Sequence, residues 1–105
     1  MEKDDYITEI MFRVDKSKDW KGTVYALIPH ECSDFKGNVS SYQHVGQHSG
    51  ANYQHCIQTS RPATEAEYAD LKAEMENGHG YNIKVIKKRN YDKFLKSYYE
   101  VTGRK

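Results

Sequence analysis

Between Ser41 and Ile57 the chain carries His44, His48, His55 and Cys56, together with Tyr42 and Tyr53, out of five histidines and two cysteines in all. These are the side-chain types that ligate zinc, shuttle protons near neutral pH or, as thiolates, attack electrophiles. His44, His48 and His55 form the candidate metal set, and His30-x-Cys32 adds a second imidazole–thiol pair upstream. Spacing argues against structural zinc, because adjacent His55 and Cys56 in a strand point to opposite faces and cannot both reach one ion. The residues favour His44 and His55 as semi-buried groups bonded to tyrosine hydroxyls or backbone, with His48 at a solvated turn, and no cofactor is expected. Nucleophilic chemistry is weaker still. In a strand His55 turns away from Cys56, while Glu31 and Asp34 beside Cys32 disfavour a thiolate. No Gly-x-Ser-x-Gly, phosphate-cradling loop, dinucleotide fingerprint or His-Glu-x-x-His helix occurs, so no catalytic residue is assigned and a non-enzyme is expected.

The elements that position these groups follow from periodicity. An even-numbered hairpin loop centred on Ser49-Gly50 predicts Gly46 opposite Tyr53, His44 opposite His55 and Tyr42 opposite Ile57. Tyr42, His44, Tyr53, His55 and Ile57 then share the inner face. A three-residue loop shifts the pairing by one and sets His44 opposite Cys56.

Upstream, Tyr6, Thr8, Ile10, Phe12 and Val14 alternate with Ile7, Glu9, Met11 and Arg13, the pattern of a half-buried strand. Asp15–Gly22 reads as a loop, Thr23–Ile28 as a second strand stopped by Pro29, and Glu31–Asn38 as a surface connection. Downstream, Thr64 and Glu67 fit a capping box opening a helix to about Asn77, with Tyr68, Leu71 and Met75 inward. Gly78-His79-Gly80 ends it, Tyr81, Ile83 and Val85 mark a fifth strand, and Tyr91, Phe94, Leu95 and Tyr98 lie at helical spacing. The predicted fold is α+β in one domain over residues 1–105. It has an antiparallel sheet of about five strands, namely a four-strand meander, a helix and a fifth strand, with one main helix on a face and a short C-terminal helix.

Composition bounds the function. A chain of 105 residues supports one core, and a net charge of +1 at pH 7 excludes whole-molecule electrostatics of a strongly basic nucleic-acid binder or an acidic mimic. No apolar run is long enough to span a membrane, and Met1–Asp5 lacks signal-peptide character, so a cytoplasmic protein with reduced thiols is expected. With two cysteines and no Cys-x-x-Cys, no disulfide is assigned, and an extracellular pair stays open.

The small net charge hides two patches. Glu65, Glu67, Asp70, Glu74 and Glu76 make the main helix acidic, whereas Lys84, Lys87, Lys88, Arg89, Lys93 and Lys96 make the following segment basic. Such separation suits oriented docking. Nine tyrosines are more than the core needs, and some are expected at an interface. Tyr91, Tyr98 and Tyr99 among the basic residues offer an alternative, stacking on single-stranded bases, although their helical spacing fits core packing equally.

The run Ser41-Tyr42-x-His44-Val45-Gly46-Gln47-His48, followed by Tyr53 and by Arg61-Pro62-Ala63-Thr64-x-x-Glu67-Tyr68-x-x-Leu71, resembles small open reading frames of gut bacteria and their mobile elements. In size and general character the chain also resembles phage and mobile-element anti-CRISPR inhibitors of type II-A effectors. That resemblance implies a non-enzymatic protein blocking an RNA-guided nuclease, Cas9 or its guide RNA complex, by surface occlusion. It departs from many nucleic-acid mimics in having only one acidic helix. Expected partner contacts are Glu65, Glu67, Asp70 and Glu74 on the helix, with Gln47, His48 and Asn52 at the hairpin tip.

Overall fold

The computed structural model describes residues 7–18, 21–43 and 47–103. Among these residues six strands and three helices follow one another as β1 (Thr8–Asp15), β2 (Val24–Cys32), β3 (Val39–Gln43), β4 (Gln47–Ala51), α1 (Tyr53–Gln58), β5 (Ser60–Pro62), α2 (Glu65–His79), β6 (Ile83–Val85) and α3 (Tyr91–Thr102). The α+β class and the opening meander are as expected: the sheet runs β4-β3-β2-β1-β5 through antiparallel pairs. β6 pairs parallel with the N-terminal half of β1, Thr8 to Ile10, while β5 pairs with its C-terminal half, Arg13 to Asp15. Two short strands thus share the edge of β1 that faces away from β2.

Alternation in β1 suggested a half-buried strand, yet both faces are covered. Ile10 and Phe12 pack with Ala26, Ile28, Tyr42, Leu71 and Met75 under α2. Met11 packs on the other side with Tyr25, Leu27, Cys32, Val39 and Phe94, under α3 and α1. The polar Arg13 on that second face misled the reading, because it is buried and hydrogen-bonded rather than solvated. Its Nε donates to Ser60 Oγ at 2.8 Å, and Nη2 donates to Ser60 O at 2.9 Å and to Ile57 O at 3.4 Å. One guanidinium therefore satisfies carbonyls where α1 ends and β5 begins.

The hairpin departs from expectation. Val39 pairs with Ala51, Tyr42 with His48 and Gln43 with Gln47, so Ser49 and Gly50 lie in a strand and not at the turn. His44, Val45 and Gly46 lie outside the described residues. Gly50 lies close to the β2–β3 connection: a Cβ there would stand 2.7 Å from Ser33 Oγ, which would have to turn aside. Tyr53, His55 and Ile57, expected on a strand, belong to helix α1, whose N-cap Asn52 accepts from His55 N at 3.0 Å. The side-chain cap offers those amides a partner that the strand reading overlooked. Of that face's described residues, Tyr42 keeps its predicted inward place, fully buried, whereas Tyr53 and Ile57 pack against the opposite face of the sheet.

Pro29 does not end β2. It sits where the β2–β3 register shifts between Ile28 and Cys32, an irregularity that accommodates the missing amide donor. Helix α2 begins with the predicted capping box at Thr64 and Glu67 and ends two residues later than expected, on left-handed Gly80. Leu71 and Met75 are fully buried, and Tyr68 stacks on Phe12 with ring centroids 4.5 Å apart.

Arg13 supplies a test of this packing. Arg13→Met keeps the apolar stem but strands buried acceptors on Ser60 and Ile57, each worth about 1–3 kcal/mol. A urea titration is expected to show a loss of roughly 2–4 kcal/mol; an unchanged midpoint would mean that the guanidinium is dispensable.

Candidate functional site

Helix α2 carries the acidic residues, and the fold gives them different work. Glu67 accepts from Thr64 N and grips Arg61 through two bonds, Nη1 to Oε1 at 2.8 Å and Nη2 to Oε2 at 2.5 Å. The Arg61 guanidinium holds the Glu67 carboxyl down to about 2, so it is ionised throughout the neutral range. Glu74, expected on the outer surface, instead accepts from the buried Tyr42 hydroxyl, which also lies 2.9 Å from His79 Nε2. Glu76 pairs with Lys72 at 2.9 Å. Glu65 and Asp70 are exposed and make no ion pair with a described residue.

Two of the sequence-predicted features meet. Glu67 and Asp70 border a cleft of about 380 Å³ whose other walls are Gly22, Thr23, Val24 and Gln43. Gln43 pairs with Gln47 where β3 and β4 approach the hairpin turn. The acidic first half of α2 and the turn end of β3 therefore flank one opening. Of the other predicted contacts, His48 pairs with Tyr42 in the ladder and Asn52 uses its side chain as the α1 cap.

The metal set is not assembled by the described residues. His44 lies outside them, His55 is exposed on α1, and no group of three or more His, Cys, Asp or Glu is placed to hold an ion among them. His55 and Cys56 do border one cavity of about 230 Å³ with Asp15 and Tyr25, since adjacent helical residues need not oppose each other as strand residues do. Burial there pushes the Cys56 thiol up and raises Tyr25 to about 12, so both stay protonated at neutral pH. Cys32 is buried, and its thiol donates to Asp34 O at 3.1 Å.

His30, singled out with Cys32 in sequence, has both ring nitrogens engaged. Nε2 accepts the Asn90 amide at 2.8 Å, which places the neutral ring's proton on Nδ1, 3.0 Å from Glu9 Oε1. Lys93 reaches the same carboxylate oxygen at 2.8 Å. Together with Ser97 Oγ, which accepts from Cys32 N at 2.9 Å, these bonds fasten α3 to the sheet.

The basic segment divides in the same manner. Lys93 is tied to Glu9, and Arg89 lies over the Tyr53 ring at 3.9 Å and the Phe94 ring at 4.5 Å, joining α1 to α3. Lys96 lines a groove with Glu31 and Glu100, whereas Lys84, Lys87 and Lys88 are exposed.

Sequence reasoning missed Phe35. It is 72% exposed in a loop whose Asp34 carboxylate accepts from Lys36 N at 2.9 Å, Asn38 N at 3.2 Å and Asn38 Nδ2 at 2.8 Å. These bonds hold the Asp34 carboxyl below its ordinary value. The run Asp-Phe-Lys-Gly-Asn carries the signal, because aspartate bonds its own backbone two residues on and orders such a turn.

No family model, curated protein or solved structure matches this chain. No helix among the described residues is long and apolar enough to cross a membrane.

The His30 network sets a pH dependence. Burial lowers the imidazole pKa, with the opposing pull of Glu9 the smaller effect. The unfolded chain, with an ordinary histidine near 6.5, binds the proton more readily. Stability is therefore full above pH 6.5 and is lost as pH falls toward the lower folded value. Urea midpoints are expected to drop on acidification through this window in the parent and much less in His30→Phe; equal slopes would refute the assignment.

Proposed function

We propose that this chain is a non-enzymatic binding protein that inhibits a partner by occluding one of its surfaces. The partner class suggested by the sequence resemblance is an RNA-guided nuclease of the Cas9 type. The observation that carries the reading is the acidic cleft, where Glu67 and Asp70 of α2 face Gly22 and Val24 at the start of β2 and Gln43 at the turn end of β3. Carboxylates on a capped helix, at the rim of a concave surface, complement a basic segment of a protein.

Further support comes from the division between engaged and exposed groups. The imidazole of His30 and the thiols of Cys32 and Cys56 are bonded or protonated, which suits structural roles better than proton transfer or nucleophilic attack. Glu65 and Asp70 face water, and Phe35 stands on a turn ordered before any partner arrives. Preordered side chains lose little entropy on binding. Glu67 belongs to the same surface, but its charge is shared with Arg61, so Asp70 is the carboxylate with most freedom to pair with a cation.

Plasmid cleavage by purified Cas9 with guide tests the proposal. Excess protein is expected to suppress cleavage, and Asp70→Lys is expected to weaken inhibition by at least about tenfold, equivalent to roughly 1.4 kcal/mol. Undiminished cleavage across several type II-A orthologues would overturn the nuclease as partner. Inhibition unaffected by the charge reversal would overturn the cleft.

A further inference from the structure

A second surface of opposite charge lies around the connection between β6 and α3. Glu9 and Lys84 are partners in the β1–β6 register, so both side chains project to the α3 face. Glu9 is taken by His30 and Lys93, which leaves Lys84 exposed. Lys87 and Lys88 follow, exposed and without an ion pair to any described residue. Three lysine ammonium groups are thereby offered to solvent within five residues of chain.

An aromatic residue follows three positions after Lys88. Tyr91, at the first position of α3, is 57% exposed, an unusual state for an aromatic at helical spacing with the buried Phe94. Its back is supported: the Phe94 ring lies 6.1 Å away, tilted by 31°, and the Arg89 guanidinium is 5.5 Å from the Tyr91 centroid. Arg89 is itself fixed between Tyr53 and Phe94, so the ring has a firm neighbour and an open side. Besides Glu9, two carboxylates belong to this region: Asp92, exposed in the first turn of α3, and Glu65, which lines a cavity of about 230 Å³ together with Lys87. Neither forms an ion pair with these lysines.

We propose that Lys84, Lys87, Lys88 and Tyr91 form a binding site for a short single-stranded nucleic-acid segment. One unpaired base stacks on the open side of Tyr91, and the lysines neutralise the phosphates on either side of it. The chemistry favours a single strand over a duplex because only an unpaired base presents its face to a ring, whereas ammonium groups alone serve both. Sequence preference is weak, since every base has a stacking face and lysine reads phosphate as a point charge. The site does not depend on the acidic cleft or on the identity of its partner.

Fluorescence anisotropy of a labelled oligothymidylate against the full chain, over a series of salt concentrations, tests the site. Binding is expected at low salt with a log–log slope of about −2, as three neutralised phosphates give at about −0.7 each. Lys87→Glu with Lys88→Glu is expected to reduce affinity at least about tenfold, and Tyr91→Ala at least about fivefold, with Tyr91→Phe close to the parent. Glu65→Lys with Asp70→Lys leaves binding undiminished. All of these side chains are exposed, and circular dichroism checks that each variant is folded. Absence of binding at low salt would overturn the proposal, as would equal affinity for a duplex of the same length. Indifference to Tyr91→Ala or to the lysine reversals would also overturn it.

Discussion

The enclosure of β1 is the constraint on which the other elements depend. Its faces are covered by α2 on one side and by α1 with α3 on the other. Its edges are covered by β2 and by the pair β5 and β6. A strand buried this completely must have every backbone group paired and every side chain packed or bonded. Burying each large apolar side chain such as Ile10, Met11 or Phe12 contributes about 1.5–3 kcal/mol, which rewards the short β5 and β6 for sealing an edge that neither could cover alone. Arg13 is admitted to this interior because the carbonyls of Ser60 and Ile57 receive its donors.

The same economy governs the charged residues. Most ionisable groups that sequence would nominate for chemistry are assigned to joints between elements: Glu67 to the α2 cap, Glu74 to Tyr42, His30 and Glu9 to the seating of α3, Arg89 to the contact between α1 and α3. Two exposed groups of opposite sign remain. Glu65 and Asp70 lie on α2, whereas Lys84 lies on β6 and Lys87 and Lys88 on the connection leading to α3. The net charge of +1 therefore conceals two local surfaces with different electrostatic preferences.

Much of the frame was legible in the sequence. The capping box at Thr64 and Glu67 and the stripe Tyr68, Leu71 and Met75 give α2 by local rules, and the spacing of Phe94 and Tyr98 gives α3. The hairpin was misread because Gly50 supports two interpretations, turn or close approach, and only the tertiary neighbour Ser33 decides between them. Asn52 likewise carries a cap signal that competes with the alternation of Tyr53, His55 and Ile57. Burial of Arg13 and the inward turn of Glu74 were not readable, since charge marks a residue as solvated unless its partners, distant in sequence, are known. The acidic residues were legible as a helix face, but their meeting with Gln43 across a cleft depends on how α2 crosses the sheet.

Under the function proposed above, the sheet around β1 stays closed while the acidic cleft meets a protein partner. Hydrogen exchange on the chain with and without the nuclease–guide complex tests it most directly, because free and bound states report on frame and contact together. Ile10 to Val14 are expected to exchange slowest in the free chain and to be unchanged by binding, while protection rises at Val24, Gln43 and Glu65 to Asp70. Fast exchange along β1, or a complex that protects other surfaces and leaves the cleft untouched, would contradict it.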